Sequence, residues 1–482
     1  MGIFLKEHIS SILKITNDIN VFNLEEEKYL LHISDKKLEL YPRIFKKERG
    51  KDYPCFNFKI TDNEVILNSD YFVGLDWLTK DRYIHVEPKL NFGVLKTFEK
   101  SIEVENEDFT DDEIENLDLQ AEIEIQKVAK EPLKEVDIIA MLMKIMSHSE
   151  IAKQTEKLLL IDWEIAEIPI TQKQDVLTPF LVVKFLNLLK DIARKGLKKS
   201  YYKVQENLRN KVKGKILVGQ QIKQNVFKNR FTNTVCEYQV FGEDSIENRF
   251  LKKSFLFCTQ YVENNNHYFR DKNDIFCMVN YIRPTLENIN SEIDLREIKH
   301  LKHNPFFKEY KDAIKIGQQI LKRFSYNITK VTAEKILTPP FWIDMPKMFE
   351  LYVYAMFLED NPSLSAAHFN YQFATHGNSL DFLVCASDKK IVVDTKYKLK
   401  YNYTQIHEDI RQVAGYARLN KVRDEVGYEN KSEEVDCLII YPKPIIEKEI
   451  ESGALNIENI LSTKIDVYHK VFKLGISLPT VE

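Results

Sequence analysis

Asp394 and Lys396 close the apolar run Ile391-Val392-Val393. Residues i and i+2 of a strand project to the same face, so an acid and an ammonium stand side by side there. Leu380–Ala386 reads as a preceding strand, and the polar turn Ser387-Asp388-Lys389-Lys390 folds it back, carrying Asp381 to the same face. Carboxylates gathered in this way suit Mg²⁺, with Mn²⁺ as a substitute, because a hard cation takes one or two carboxylates and keeps several waters. Such an ion polarises a phosphodiester oxygen, while Lys396 orients the attacking water or helps to deprotonate it. The acid-x-Lys triplet alone carries no weight, since Asp35/Lys37, Glu87/Lys89 and Asp388/Lys390 also satisfy it. Its setting discriminates: a charge at the end of a strand-core run is costly unless paired or metal-bound. A plain cross-strand ion pair is the competing reading.

Two further features surround this hairpin. Gln412 and Tyr416, spaced i and i+4, share a helix face beside the apolar stripe Ile406, Ile410, Val413 and Ala417. That places a polar pair where a scissile phosphate would lie, although in isolation Gln and Tyr at a core boundary satisfy one another. On the preceding helix Glu350 offers another metal ligand, against the ordinary expectation that a helical glutamate is solvated surface.

The elements that must position these residues are legible from periodicity. The first hundred residues are β-rich, with short alternating segments at Leu38–Tyr41, Phe56–Ile60, Val65–Leu67 and Tyr83–Val86 that suggest a small barrel or sandwich. Helical spacing takes over near Val136 and recurs through Leu181–Ile192, Ser245–Val262 and Phe306–Phe324. From Pro339 the order is helix (Pro346–Asp360), hairpin, helix (Thr404–Asn420), then strand Asp436–Tyr441 stopped by Pro442. The expected division is a β-rich domain over 1–98, an acidic linker or insertion over 99–130, a mainly helical middle region over 131–335 and an α/β domain over 336–482. The whole is an α+β multidomain chain.

At 482 residues and 44% hydrophobic content the chain has ample material for more than one core. The longest mostly apolar stretch, Phe180–Leu189, is too short to span a bilayer, and MGIFLKEHIS has no apolar signal core. Six scattered cysteines without a CxxC pair exclude an evident zinc ribbon or disulfide scaffold and favour a reducing, cytoplasmic setting. The net charge of −4 hides segregation: Lys190–Arg230 holds thirteen Lys and Arg against two acids, whereas Glu99–Asp118 holds ten acids against one lysine. The acidic stretch reads as an exposed loop or linker. The basic one reads either as a solvated helix face or, with Tyr201, Tyr202 and Phe227 interleaved, as a phosphate-tracking surface in which Lys211, Lys213 and Lys215 contact DNA.

Glu350, Asp381, Asp394-x-Lys396 and Gln412-x-x-x-Tyr416 together resemble the PD-(D/E)xK nuclease superfamily, and the QxxxY element is similar to its RecB-type branch. The resemblance implies a restriction-endonuclease-like C-terminal fold, with Asp381, Asp394 and Glu350 at the metal and Lys396 as the catalytic lysine. One departure is Leu380, where that pattern has proline before the first aspartate; the proline shapes the strand and does no chemistry. A narrower resemblance covers most of the chain. Val212-Lys213-Gly214-Lys215-Ile216 is similar to the RGKI-type element of McrC, the nuclease subunit of McrBC-type modification-dependent restriction systems. Asp244-Ser-Ile-Glu-Asn248-Arg249-Phe-Leu-Lys252 resembles its D-x-x-x-N-R-x-L-K helix, and Val73-Gly74 with Ile84-His-Val-Glu-Pro88-Lys89 resembles its G…IxPK element, with Val86 in the isoleucine position. Asp394-Thr-Lys396-Tyr397-Lys398 is close to its nuclease motif.

That family implies Mg²⁺-dependent cleavage of double-stranded DNA in antiviral defence, driven by a separate McrB-type AAA+ GTPase on which the N-terminal half docks. The absence of any GxxxxGK[ST] phosphate loop agrees with a motor on another chain. Two alternatives stay open: an autonomous RecB-type nuclease of repair or recombination that grips DNA through the basic stretch, and a non-catalytic scaffold with a relic nuclease fold.

Overall fold

The computed structural model describes all residues except 1, 8–9, 17–27, 33–39, 41, 46–52, 61–63, 80–81, 91–133, 172–173, 266–267, 270–271, 294–306, 325–334, 376–377, 387–388, 399–402, 429–432, 444–452, 466–467 and 482. The acidic segment Glu99–Asp118 therefore lies outside the described residues, as do the expected segment Leu38–Tyr41 apart from Leu40 and the Ser387-Asp388 turn. The chain divides into two compact units, one formed by Met1–Ile168 with Pro339–Glu482, the other by Pro169–Thr338.

The first unit contains two five-stranded sheets. One runs in the order Gly2–Lys6, Arg82–Glu87, Phe72–Thr79, Phe341–Asp344, Leu159–Ile161. Phe341–Asp344 pairs antiparallel with Phe72–Leu75, so the chain returns after more than 250 residues to complete the N-terminal sheet. A β-rich domain closed within residues 1–98 is thus corrected: the fourth strand comes from the far end of the sequence, and no local pattern signals such a pairing. Trp342 is fully buried there among Ile3, Phe56, Ile84 and Val86. Gly74 is required by this pairing, because a Cβ at that position would lie 2.1 Å from the Phe341 carbonyl oxygen.

The second sheet has the order Phe369–Thr375, Asn378–Ala386, Lys389–Thr395, Asp436–Lys443, Val471–Ser477. Its first three strands are antiparallel, and the last two continue in parallel from Lys389–Thr395. Parallel neighbours need a crossover, supplied here by the helix Tyr403–Ala417. Ile410 and Val413 of that helix pack on Leu380, Val392, Cys437 and Ile439 of the sheet. The helix Met345–Asp360 starts at Asp344, whose side chain caps the Lys347 amide, with Pro346 in its first turn. The expected stop at Pro442 is corrected: the strand runs on to Lys443. Beyond Ile440 its only paired neighbour among the described residues is Val471–Ser477, which leaves room for a residue that cannot donate.

The second unit is built from the helices Leu177–Lys195, Ile246–Asn264, Lys272–Ile282 and Lys308–Arg323. It is not mainly helical throughout. Ser200–Arg209 and Asn233–Gly242 form a ten-residue antiparallel ribbon, joined by Lys215–Ile216. Most of the basic run lies on this ribbon and its connection, not on a helix face. The alternation Tyr201, Lys203, Gln205 against Tyr202, Val204, Glu206 has a two-residue period that the charge count concealed. Among the described residues, no helix is long and apolar enough to cross a membrane.

Candidate active site

The hairpin register Phe382 with Val393 carries Asp381 opposite Asp394. Asp381 is anchored by its neighbour strand: its Oδ2 accepts 2.6 Å hydrogen bonds from both the amide and the hydroxyl of Thr395. Asp394 is only 6% exposed on the central strand. Burial, then the negative charge of Asp381, pushes its carboxyl well above the usual carboxylate range. Lys396 follows directly, its amide bonded to the Ile440 carbonyl at 2.8 Å, which fixes the backbone just past the strand end. Its ammonium lies 2.7 Å from Asp394 Oδ2 and donates to Gln412 Oε1 at 2.7 Å. Asp394 and its carboxylate neighbours hold this ammonium's pKa above the ordinary lysine value despite burial.

Gln412 and Tyr416 do share a helix face, and Gln412 Nε2 donates to the Tyr416 hydroxyl at 2.8 Å. Gln412 thus links the tyrosine to Lys396 through two hydrogen bonds. Glu350 is not solvated surface. It is 8% exposed, and burial followed by the charge of Asp381 raises its carboxyl to about 7. Lys347 Nζ stands 3.3 Å from both its oxygens, and Gln372 Nε2 donates to Oε1 at 3.2 Å.

Three residues at the site escaped the sequence. Asp409 is buried on the helix between two lysines, accepting from Lys398 Nζ at 2.8 and 2.7 Å and lying 3.6 Å from Lys396 Nζ. Its position three residues before Gln412 was the available signal, because i and i+3 are neighbours on a helix. Lys347 precedes Glu350 by the same interval. Gln372 takes a left-handed backbone at φ 49° opposite Asp381, which costs energy in a strand and marks a locally constrained position. Tyr397 turns the other way, its hydroxyl 3.0 Å from the buried Glu7 carboxylate.

Among the described residues, no group of three or more His, Cys, Asp and Glu side chains is gathered closely enough to hold a metal ion. Two carboxylates facing each other on adjacent strands nevertheless fit a hydrated Mg²⁺, which needs only one or two carboxylates. Burial first, and the charge of Asp381 second, raise the Asp394 and Glu350 carboxyls.

Lys211, Lys213 and Lys215 belong to the second unit and are all exposed. Lys213 Nζ sits 4.1 Å from the centre of the Tyr238 ring. Gly214 between them has φ 71°, and a Cβ there would lie 2.4 Å from the Glu237 carbonyl oxygen. That close approach accounts for the glycine in the Val212–Ile216 element. The Asp244–Lys252 element is architectural: Asn248 donates to the carbonyls of Lys198 and Glu243 and accepts from Tyr310, Arg249 forks onto Asp244, and Lys252 reaches the Glu287 carbonyl.

A family model described as McrBC 5-methylcytosine restriction system component matches residues 162–442, more than half of the chain. No curated protein matches. Two solved structures from Thermococcus gammatolerans are similar. One is a refined half-complex from a tetradecameric assembly of McrB AAA+ hexamers with bound McrC, at 14% identity over 99% of this chain and 94% of that one, with a TM-score of 0.35. The other is a cryo-EM structure of the McrBC complex, at 13% identity over 75% and 88% of the two chains, with a TM-score of 0.25.

Proposed function

From the premise that this chain belongs to the McrBC family of restriction system components, we propose that it is the McrC-type nuclease subunit. In this reading it cuts double-stranded DNA in the cytoplasm, as part of the restriction of foreign DNA, when driven by a McrB-type AAA+ GTPase. The observation that carries the reading is the convergence of Asp381, Asp394 and Lys396 around the C-terminal end of the central strand of a mixed five-stranded sheet, with Gln412 holding the lysine. An antiparallel hairpin feeding two parallel strands, with the Glu350 helix before it and the Gln412 helix after it, supports the PD-(D/E)xK reading.

Asp381 and Asp394 would hold a Mg²⁺ ion, with Glu350 adding negative charge beside Asp381. When bound, the ion supplies polarisation of a phosphodiester oxygen and neutralises charge as the leaving oxygen departs. Thr395 keeps the Asp381 carboxylate aimed by two hydrogen bonds. Lys396 is held charged among acids and so orients the attacking water and stabilises the developing negative charge; it is not a proton acceptor in this state. Gln412 and Tyr416 set the direction of its ammonium. The basic ribbon of the second unit contributes phosphate contacts through Lys211, Lys213 and Lys215.

The test is plasmid cleavage with Mg²⁺ by the purified chain, with and without the AAA+ partner and nucleotide, beside Asp394→Ala and Lys396→Ala. Cleavage confined to the complete mixture and lost in both variants is the expected result, with nucleotide hydrolysis by the partner unchanged. Cleavage by the chain alone would replace the motor-driven reading with the autonomous nuclease. No cleavage under any condition would favour the relic scaffold.

A further inference from the structure

Lys396 and the metal compete for one carboxylate. The ammonium lies 2.7 Å from Asp394 Oδ2, in the position where a divalent cation bound by that oxygen would meet a like charge. For the cation to enter, Lys396 must give up Asp394 without losing its place at the site. Two groups are set to receive it. Gln412 Oε1 already accepts from it at 2.7 Å and can keep it while it moves. Asp409 Oδ1 stands 3.6 Å away, already within ion-pair distance and a short movement from a direct hydrogen bond.

Asp409 is suited to that task by what holds it. Its side chain is 8% exposed, and both its oxygens bond Lys398 Nζ, two residues beyond Lys396. A buried carboxylate bonded to Lys398, with Lys396 already at ion-pair distance, is a prepared place for that second ammonium. The shift needed is a rotation of the Lys396 side chain, and the strand need not move.

We infer that Asp409 is a positioning residue that takes over Lys396 from Asp394 when the metal binds, so that Lys396 acts as a placeholder in the metal-free site. This inference rests on the metal-dependent nuclease reading given above. Gln412 and Asp409 then direct the displaced ammonium toward the bound phosphate, while Asp394 is freed for the ion.

The experiment is Mn²⁺ binding to the full-length chain, without DNA or partner, followed by electron paramagnetic resonance. It uses wild type, Asp409→Asn, Lys396→Met and the double variant, with Asp394→Asn as the control for the site. Asp409→Asn should weaken Mn²⁺ binding about tenfold, in the range found when groups that orient metal ligands are altered. Lys396→Met should tighten binding, and in that background Asp409→Asn should change it by less than about twofold. Equal weakening in both backgrounds would mean a through-space charge effect and would overturn the handover, as would no weakening at all. Asp409→Glu, which keeps the carboxylate, should restore most of the affinity and separates a charge requirement from a folding defect. Wild-type binding that Asp394→Asn does not reduce would instead remove the metal site, and with it the nuclease reading.

Discussion

Gln412 Oε1 accepts a hydrogen bond from the Lys396 ammonium at 2.7 Å, and its Nε2 donates one to the Tyr416 hydroxyl at 2.8 Å. The residue acts through the lysine, so its loss should impair direction and spare charge. Misplacement of a catalytic group by about 1 Å costs on the order of 100-fold. Gln412→Leu is therefore expected to lower the single-turnover cleavage rate in the complete mixture by about 10- to 100-fold. Tyr416→Phe, one bond further out, should cost less than Gln412→Leu. A Tyr416→Phe defect as large as that of Gln412→Leu would place the tyrosine on the substrate and end the relay account.

Burial gives Glu7 a distinct pH signature. Its carboxyl is fully buried beside the Tyr397 hydroxyl, and desolvation raises it from 4.5 to about 8. Between those values the native state keeps a proton that the unfolded chain releases. Stability therefore falls as pH rises from 4.5 to 8, and the loss is complete above 8. Glu7→Gln cannot ionise, so its stability relative to wild type should improve across that window, by at least ~1 kcal/mol at the upper end. Denaturant melts at pH 5 and pH 8.5 measure this. Parallel curves for the two proteins at both pH values would show that Glu7 does not titrate on unfolding.

What could be read in the sequence and what could not divide along physical lines. Asp394 and Lys396 were legible because a two-residue period on an apolar strand is local information. The hairpin was legible for the same reason, and so were the helices read from Pro346 and Ser245, whose capping residues prove to be Asp344 and Ser245. The strand Phe341–Asp344 carries no mark of its partner, since pairing with Phe72–Leu75 depends on contacts across the whole chain. Gln372 was invisible because its left-handed backbone arises from the sheet around it and not from its own side chain. Glu350 looked like surface because helical periodicity cannot show that Lys347, Tyr371 and Gln372 cover it. The ribbon Ser200–Arg209 was obscured by its charge, which is compatible with either a helix or a strand.

In the second unit, Arg323 and Asp175 form an ion pair whose side chains are both fully inaccessible, 2.8 Å apart. Thr178 accepts from the guanidinium Nε at 3.0 Å and Thr338 from Nη1 at 2.7 Å. Removing one partner of such a pair leaves an uncompensated buried charge, which costs about 3–5 kcal/mol. Asp175→Ala should shift the denaturant midpoint accordingly, whereas Asp175→Leu with Arg323→Met should recover much of the loss. A midpoint for Asp175→Ala within ~0.5 kcal/mol of wild type would mean that water or a rearranged neighbour solvates Arg323.

The exposed ribbon offers the last discriminating measurement. Tyr201 and Phe227 are 72% and 78% exposed, an uncommon state for aromatic side chains, and Lys211, Lys213 and Lys215 are exposed as well. If Lys211, Lys213 and Lys215 touch phosphates, each replacement by alanine should reduce the slope of log K against log salt by about 0.9 for duplex DNA. Affinity should fall uniformly across DNA sequences, because phosphate contacts carry no base information. The comparison of the triple variant with wild type between 50 and 200 mM salt, on the order used for such slopes, is sufficient. An unchanged slope assigns these lysines to solvent, and the exposed aromatics then stand as a surface for a protein partner.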